Sequence, residues 1–336
     1  MPIYGDENGW LGIELEGLKK DAEVNVEITA DGFMKPSKWH GTITRLNQDG
    51  SALIKPKVMW DFETLIRVRQ QRPINVIFST SIDGKELPDV TETYTLRSIN
   101  DCPLFVKWDK AGKDATDLSF LFAAYVNENH PQVQEILKEA LACGAVKQFT
   151  GYQFKKPDEV IRQVFAVWNA LQRRGIKYSD VTTTPPGDKV FNQSVRFMHE
   201  SINNHQANCV DGSVLMASVL EKIGIHSYLV LVPGHCFLAF DVVENSAALP
   251  TGLETTMLGH NEITEVTKME LLTMGEQTKE FEASIKTFSK ALDVGCAKIQ
   301  SCARNLQGKG DLSFSLISIE DSRAEGIMPI PFTTDK

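Results

Sequence analysis

The sequence predicts an α+β chain: an all-β, sandwich-like domain over residues 1–106, then a mixed region of helices and strands with its own core. Three observations carry this expectation. Apolar and polar residues alternate in short runs up to about residue 106, Asp-Gly pairs punctuate those runs, and past residue 117 the apolar spacing becomes helical. A length of 336 residues fits two or three domains.

In the first region Val24, Val26 and Ile28 alternate with polar residues, as do Ile74, Val76 and Phe78, and Tyr94 and Leu96 continue the pattern. Alternation at period two places one strand face in a core. Asp31-Gly32, Asp49-Gly50 and Asp83-Gly84 read as tight turns, because glycine accepts the positive φ such turns need. Asp61–Gln71 looks helical, and His40 beside Trp39 reads as packing or surface. No catalytic constellation is visible here.

A helical connector follows over 107–150, with a helix from Asp117 to a stop at Gly144. The polar stretch Asp109–Thr116 is the natural place to separate the two regions. A core is expected over 151–262. Pro157 opens a helix whose apolar face is Val160, Ile161, Val164, Trp168 and Leu171, closed by Gly175. Pro185-Pro186-Gly187 marks a loop, Ser194–Asn203 a short helix, Asn208–Ile223 an amphipathic helix and Ser227–Val243 a strand region. Residues 263–336 add a long helix and a strand that complete the core. On that helix Phe281, Ile285, Phe288, Leu292, Gly295, Ile299, Cys302 and Leu306 recur at alternating steps of four and three. So short a stripe, interrupted by glycine, predicts packing against the body of the protein rather than a coiled coil.

Lys and Arg number 35 against 44 Asp and Glu, for a net charge of −9. This balance argues against a nucleic-acid or anionic-membrane surface, both of which want clustered cations. The most apolar stretch, Tyr228–Phe240, is too short to span a bilayer. Met1–Asp6 shows no basic start leading into an apolar segment. No membrane insertion is expected, and reduced thiols in a cytoplasm fit six scattered cysteines without a Cys-x-x-Cys pair.

One segment carries chemistry. Asn208 is a good helix cap with Asp211 three residues on, which puts Cys209 in the first helical turn. A helix N-terminus favours the nucleophilic thiolate, and the nearby Asp211 pushes modestly the other way. A thiol nucleophile needs a base and a group to orient that base. His235, just past Pro233-Gly234 at the start of a strand, can serve as the base. Asp241, six residues further on the same strand, would sit roughly 20 Å from the imidazole. A tight turn at Glu244-Asn245 would set Glu254 opposite His235, although Pro250 interrupts the return strand. The backbone N–H of Cys209 is one oxyanion donor; Gln206, Asn208 and Gln193 are candidates for the second, with Gln206 the working choice. Zinc held by His205, Cys209, His235 and Cys236 is the competing chemistry. It is disfavoured because neighbours on one strand diverge, which also sends Cys236 into the core.

This order of motifs resembles the transglutaminase-like superfamily, within the papain-like cysteine-enzyme fold: a Cys at a helix start, the Ile223-Gly224-Ile225 break, the Gly234-His235 strand, then an acid followed by Thr. The likeness spans roughly residues 155–260, and the β region and C-terminal helix are similar to accessory parts of bacterial members. The family's third motif commonly reads Asp-Pro-Thr, whereas this chain has Leu253-Glu254-Thr255-Thr256. The resemblance implies Cys209 as nucleophile, His235 as base and Glu254 as orienting acid, acting on a peptide or protein amide through a thioester. It implies no metal or organic cofactor. The rival expectation is a non-catalytic binding or scaffold module that keeps the fold.

Overall fold

The computed structural model describes residues 1–109, 114–179, 189–260, 278–307 and 311–332. The expected Pro185-Pro186-Gly187 loop, and residues 110–113 of the polar stretch Asp109–Thr116, lie outside the described residues. The chain is α+β and divides into two compact units, Met1–Ile99 and Asn100–Lys336. The division falls a few residues before the position read from the sequence, 106. The strand Asp101–Lys107 pairs with Val190–Ser194, well inside the second unit.

The first unit is nearly all strand. Its larger sheet runs in the order Val90–Leu96, Arg72–Ile82, Glu23–Thr29, Ser37–Thr42, with all neighbours antiparallel. A smaller sheet joins Ile3–Gly5, Ala52–Lys55 and Ile13–Leu15. Val24, Val26, Ile28, Val76 and Phe78 from the first sheet share one core with Leu15, Ala52 and Ile54 from the second. The Asp83-Gly84 turn has positive φ at both residues, 50° and 78°, as a hairpin corner requires. Two expectations shift. The helix at Asp61–Gln71 shrinks to Phe62–Leu65. Val90–Leu96 is exposed on both faces, so the Tyr94–Leu96 alternation belongs to an edge strand rich in Thr and not to a buried face.

In the second unit an antiparallel sheet runs Thr251–Leu253, His235–Phe240, Ser227–Val232, Ser315–Ser318. The helix Cys209–Lys222 packs against it and against the helix Pro157–Arg173, with the long helix Thr278–Gln307 also in the core. The Cys209 helix is not amphipathic. Every residue from Val210 to Leu220 is buried, which is what a central helix demands. Each fully buried Val or Leu on it contributes about 1.5–3 kcal/mol, so the element that carries Cys209 is held firmly. The expected helix over Asp117–Gly144 divides into a 3-10 turn at Ser119–Tyr125 and a helix at Pro131–Ala142, because Pro131 can start a helix but cannot continue one. The stripe on the long helix is buried from Phe281 to Cys302, as packing against the protein's own body requires. Gly295 has a specific purpose there. A Cβ would collide with the Gly252 backbone, so this glycine pair lets the long helix lie directly on Thr251–Leu253. Among the described residues no helix is long and apolar enough to cross a membrane.

Candidate active site

Cys209 is the first residue of its helix and is half-buried. The Asn208 side-chain oxygen accepts the N–H groups of Val210 and Asp211, each at 2.9 Å. Asp211 Oδ2 reaches back to the Asn208 N–H at 3.0 Å, completing a capping box. Asp211 also accepts the Arg196 N–H and its guanidinium, both at 2.8 Å. Burial pushes the Asp211 carboxyl up, and these bonds with the Arg196 charge oppose that push. The negative charge expected to trouble the thiol therefore faces its own cation. The Cys209 carbonyl takes the Ser213 hydroxyl at 2.7 Å and the Thr255 hydroxyl at 3.4 Å. Ser213 and Thr255 are themselves 3.0 Å apart, so the segment after Glu254 is tied to the turn that holds the cysteine.

His235 opens its strand opposite Val232, across the two-residue Pro233-Gly234 turn. Proline presets the first corner, and Gly234 supplies the second at φ 70°. The ring is anchored by a carboxylate. Its Nε2 lies 2.7 Å from Glu254 Oε2, and Cys209 is the other side chain that acts most strongly on the ring. With Nε2–H donating to a carboxylate, Nδ1 is the nitrogen left to face the sulfur. Cys209 and the Glu254 bond raise the imidazole to about 9, against the effects of burial and of the Lys298 charge.

Glu254 is 1 % exposed. Burial alone would raise its carboxyl. Bonds from His235 and Lys298, together with the Thr256 hydroxyl, reverse that and hold it at about 2. Oε1 accepts the Thr256 N–H at 3.2 Å and its hydroxyl at 2.7 Å, while Oε2 receives both His235 Nε2 and Lys298 Nζ. The route to this pairing differs from the expected one. Residues 241–250 form a longer connection in place of a tight turn at Glu244-Asn245, and the return strand starts only after Pro250, which spares the ladder a missing donor. Leu238 faces Leu253, so one further step would set Glu254 opposite Phe237 and not opposite His235. A two-residue shift keeps the same face of the sheet, and a diagonal neighbour is within reach of a long side chain. The extra methylene of Glu over Asp spans that diagonal.

The structure thus joins Cys209, His235 and Glu254. It does not join Gln206, which is exposed on the short strand Gln206–Ala207 and forms no hydrogen bond to those three among the described residues. Gln193 turns its amide to the Ser194 carbonyl, and the backbone N–H of Asn208 is given to Asp211. Cys236 is buried in the core, and His205 Nδ1 lies 2.8 Å from the Arg174 carbonyl oxygen. Sequence reasoning missed Lys298 and the Ser213–Thr255 tie. Lys298 stands three residues past Gly295, the one break in the apolar stripe, and that break was the available signal. Compared with protein-family models and with curated proteins, the chain finds no match in either.

Proposed function

We propose that this protein is a thiol enzyme with a transglutaminase-like, papain-like core that cleaves or transfers the acyl group of an amide. The observation that carries this reading is the His235 ring bonded to the buried Glu254 carboxylate, with Cys209 at the start of the helix packed on the same strand and acting on the same imidazole. A core cysteine needs no such neighbour, and an imidazole oriented by an acid beside a cysteine at a helix start supports a nucleophile–base–acid set.

The steps follow from the arrangement. His235 takes the Cys209 proton, and the sulfur attacks the carbonyl carbon of the amide. Charge on the oxygen is met by the N–H at the helix start. As the C–N bond breaks, His235 gives its proton to the leaving amine and a thioester remains on Cys209. Water, or an amine, then attacks that thioester while His235 accepts a proton from it. The C–S bond breaks and the thiol takes the proton back. Glu254 does not carry the proton; it fixes the imidazole tautomer and stabilises the imidazolium. Water is the default acceptor.

A simple acyl donor tests this without knowledge of the natural substrate. With 4-nitrophenyl acetate, mass spectrometry is expected to find an acetyl group on Cys209 that hydroxylamine removes, and His235→Ala is expected to abolish it. Acetylation scattered over lysines, or equally fast in His235→Ala, would favour a non-catalytic module instead.

A further inference from the structure

The long C-terminal helix reaches the site by a built route. The Gly252–Gly295 approach lets it lie on the strand before Glu254, and the Glu254 N–H donates to the Ala291 carbonyl at 2.9 Å. Two turns beyond Ala291, Lys298 Nζ meets Glu254 Oε2, the oxygen that also takes His235 Nε2. The same ammonium lies 5.6 Å from the centre of the Phe237 ring, and that ring stacks on His235. Two cationic groups therefore share one carboxylate oxygen, and the second comes from an element outside the motif region.

We infer that Lys298 is a positioning residue of this site: it holds the Glu254 carboxylate toward His235 and takes up part of its negative charge. The inference rests on the thiol-enzyme reading for its meaning but not for its measurement. A buried carboxylate with the imidazole as its sole cationic partner would bind the imidazolium too tightly, and the ring must also release its proton to a leaving amine. A second cation on the same oxygen moderates that grip. The ionisable groups that act most on His235 are the Cys209 thiol, Glu254 and Lys298. Arg196 is engaged with Asp211.

The test is an NMR titration of the histidine rings in the intact protein, run on wild type, Lys298→Met, Lys298→Arg and, as a control on the same helix, Lys290→Met. The His235 midpoint is expected to rise by more than ~0.5 pH unit in Lys298→Met. It is expected to return to the wild-type value in Lys298→Arg and to stay there in Lys290→Met. A midpoint that is unchanged or lower in Lys298→Met overturns the inference. Should the methionine variant unfold, Lys298→Gln reads the same midpoint with a polar side chain. Iodoacetamide labelling of the wild type separates the two claims. An inert Cys209 counts against the enzyme, whereas a reactive Cys209 with a His235 midpoint indifferent to Lys298 counts against this role alone.

Discussion

The strand His235–Phe240 has a carboxylate near each end, and the two live in opposite circumstances. At the far end Asp241, just past the strand, accepts the Tyr228 hydroxyl at 2.9 Å, and burial pushes its carboxyl up, opposed by that bond and by His226. At the near end Glu254 is more deeply buried, yet its carboxyl is held at about 2. Burial therefore does not decide the matter. Cations do: His235 and Lys298 both meet Glu254, whereas the hydrogen-bond donor to the Asp241 side chain is a neutral phenol. An acid kept ionised against a histidine can orient and charge that ring, and an acid capped by tyrosine cannot.

Replacing each acid by its amide separates the two carboxylates, since size hardly changes. Glu254→Gln is expected to fold and to lower acylation of Cys209 by about 10²-fold or more, measured with 4-nitrophenyl acetate. Gly295→Ala comes next. Its Cβ must displace the Gly252 backbone, so a loss of about 1–3 kcal/mol in denaturant stability is expected, together with slower acylation as Lys298 withdraws. An alanine variant with wild-type stability would mean that the helix and strand are not in close contact there.

The pH dependence of stability has a definite sign. His235 is raised from 6.5 to about 9, so its contribution is complete below pH 6.5 and is lost as pH rises through about 9. Glu254 is lowered from 4.5 to about 2, so its contribution is complete above 4.5 and is lost as pH falls through about 2. The His235–Glu254 contact common to both shifts is counted once and is worth on the order of 2 kcal/mol, with Cys209 adding to the first shift and Lys298 to the second. Melting curves of wild type minus Glu254→Gln are expected to show a plateau between pH 4.5 and 6.5 that erodes on both sides. A flat difference would contradict the pairing. The smallest effect is Asp241→Asn, which keeps an acceptor for Tyr228: a change of under about 1 kcal/mol in stability and acylation within a few-fold of wild type. If this variant is the damaging one, the acid has been assigned to the wrong end of the strand.

Much of this arrangement was legible in the sequence because it depends on local chemistry. Asn208 and Asp211 announce a helix start, Pro233-Gly234 announces a corner, and together they place Cys209 and His235 on rigid elements. The face of Glu254 was legible too, because side-chain parity survives a two-residue slip. Its register was not, because the length of the connection after Asp241 is set by tertiary contacts that no local signal reports. Lys298 was hidden for a similar reason. A glycine in a helix suggests a close approach, but only the fold reveals that the partner is Gly252. The burial of the whole Cys209 helix also escaped, since Ser213 and Ser218 look solvent-facing until their hydroxyls are seen bonded to the Cys209 and Val214 carbonyls.

On the proposed reading, His235 makes Cys209 nucleophilic. Competitive alkylation with limiting iodoacetamide at neutral pH, followed by peptide mapping, tests it most directly. Cys143, Cys209 and Cys296 are all half-buried, so exposure alone does not single one out. Cys209 is expected to be alkylated well ahead of the other two in wild type, and this lead is expected to disappear in His235→Ala. Cys143 or Cys296 reacting as fast as Cys209, or a Cys209 rate indifferent to the loss of His235, would contradict it.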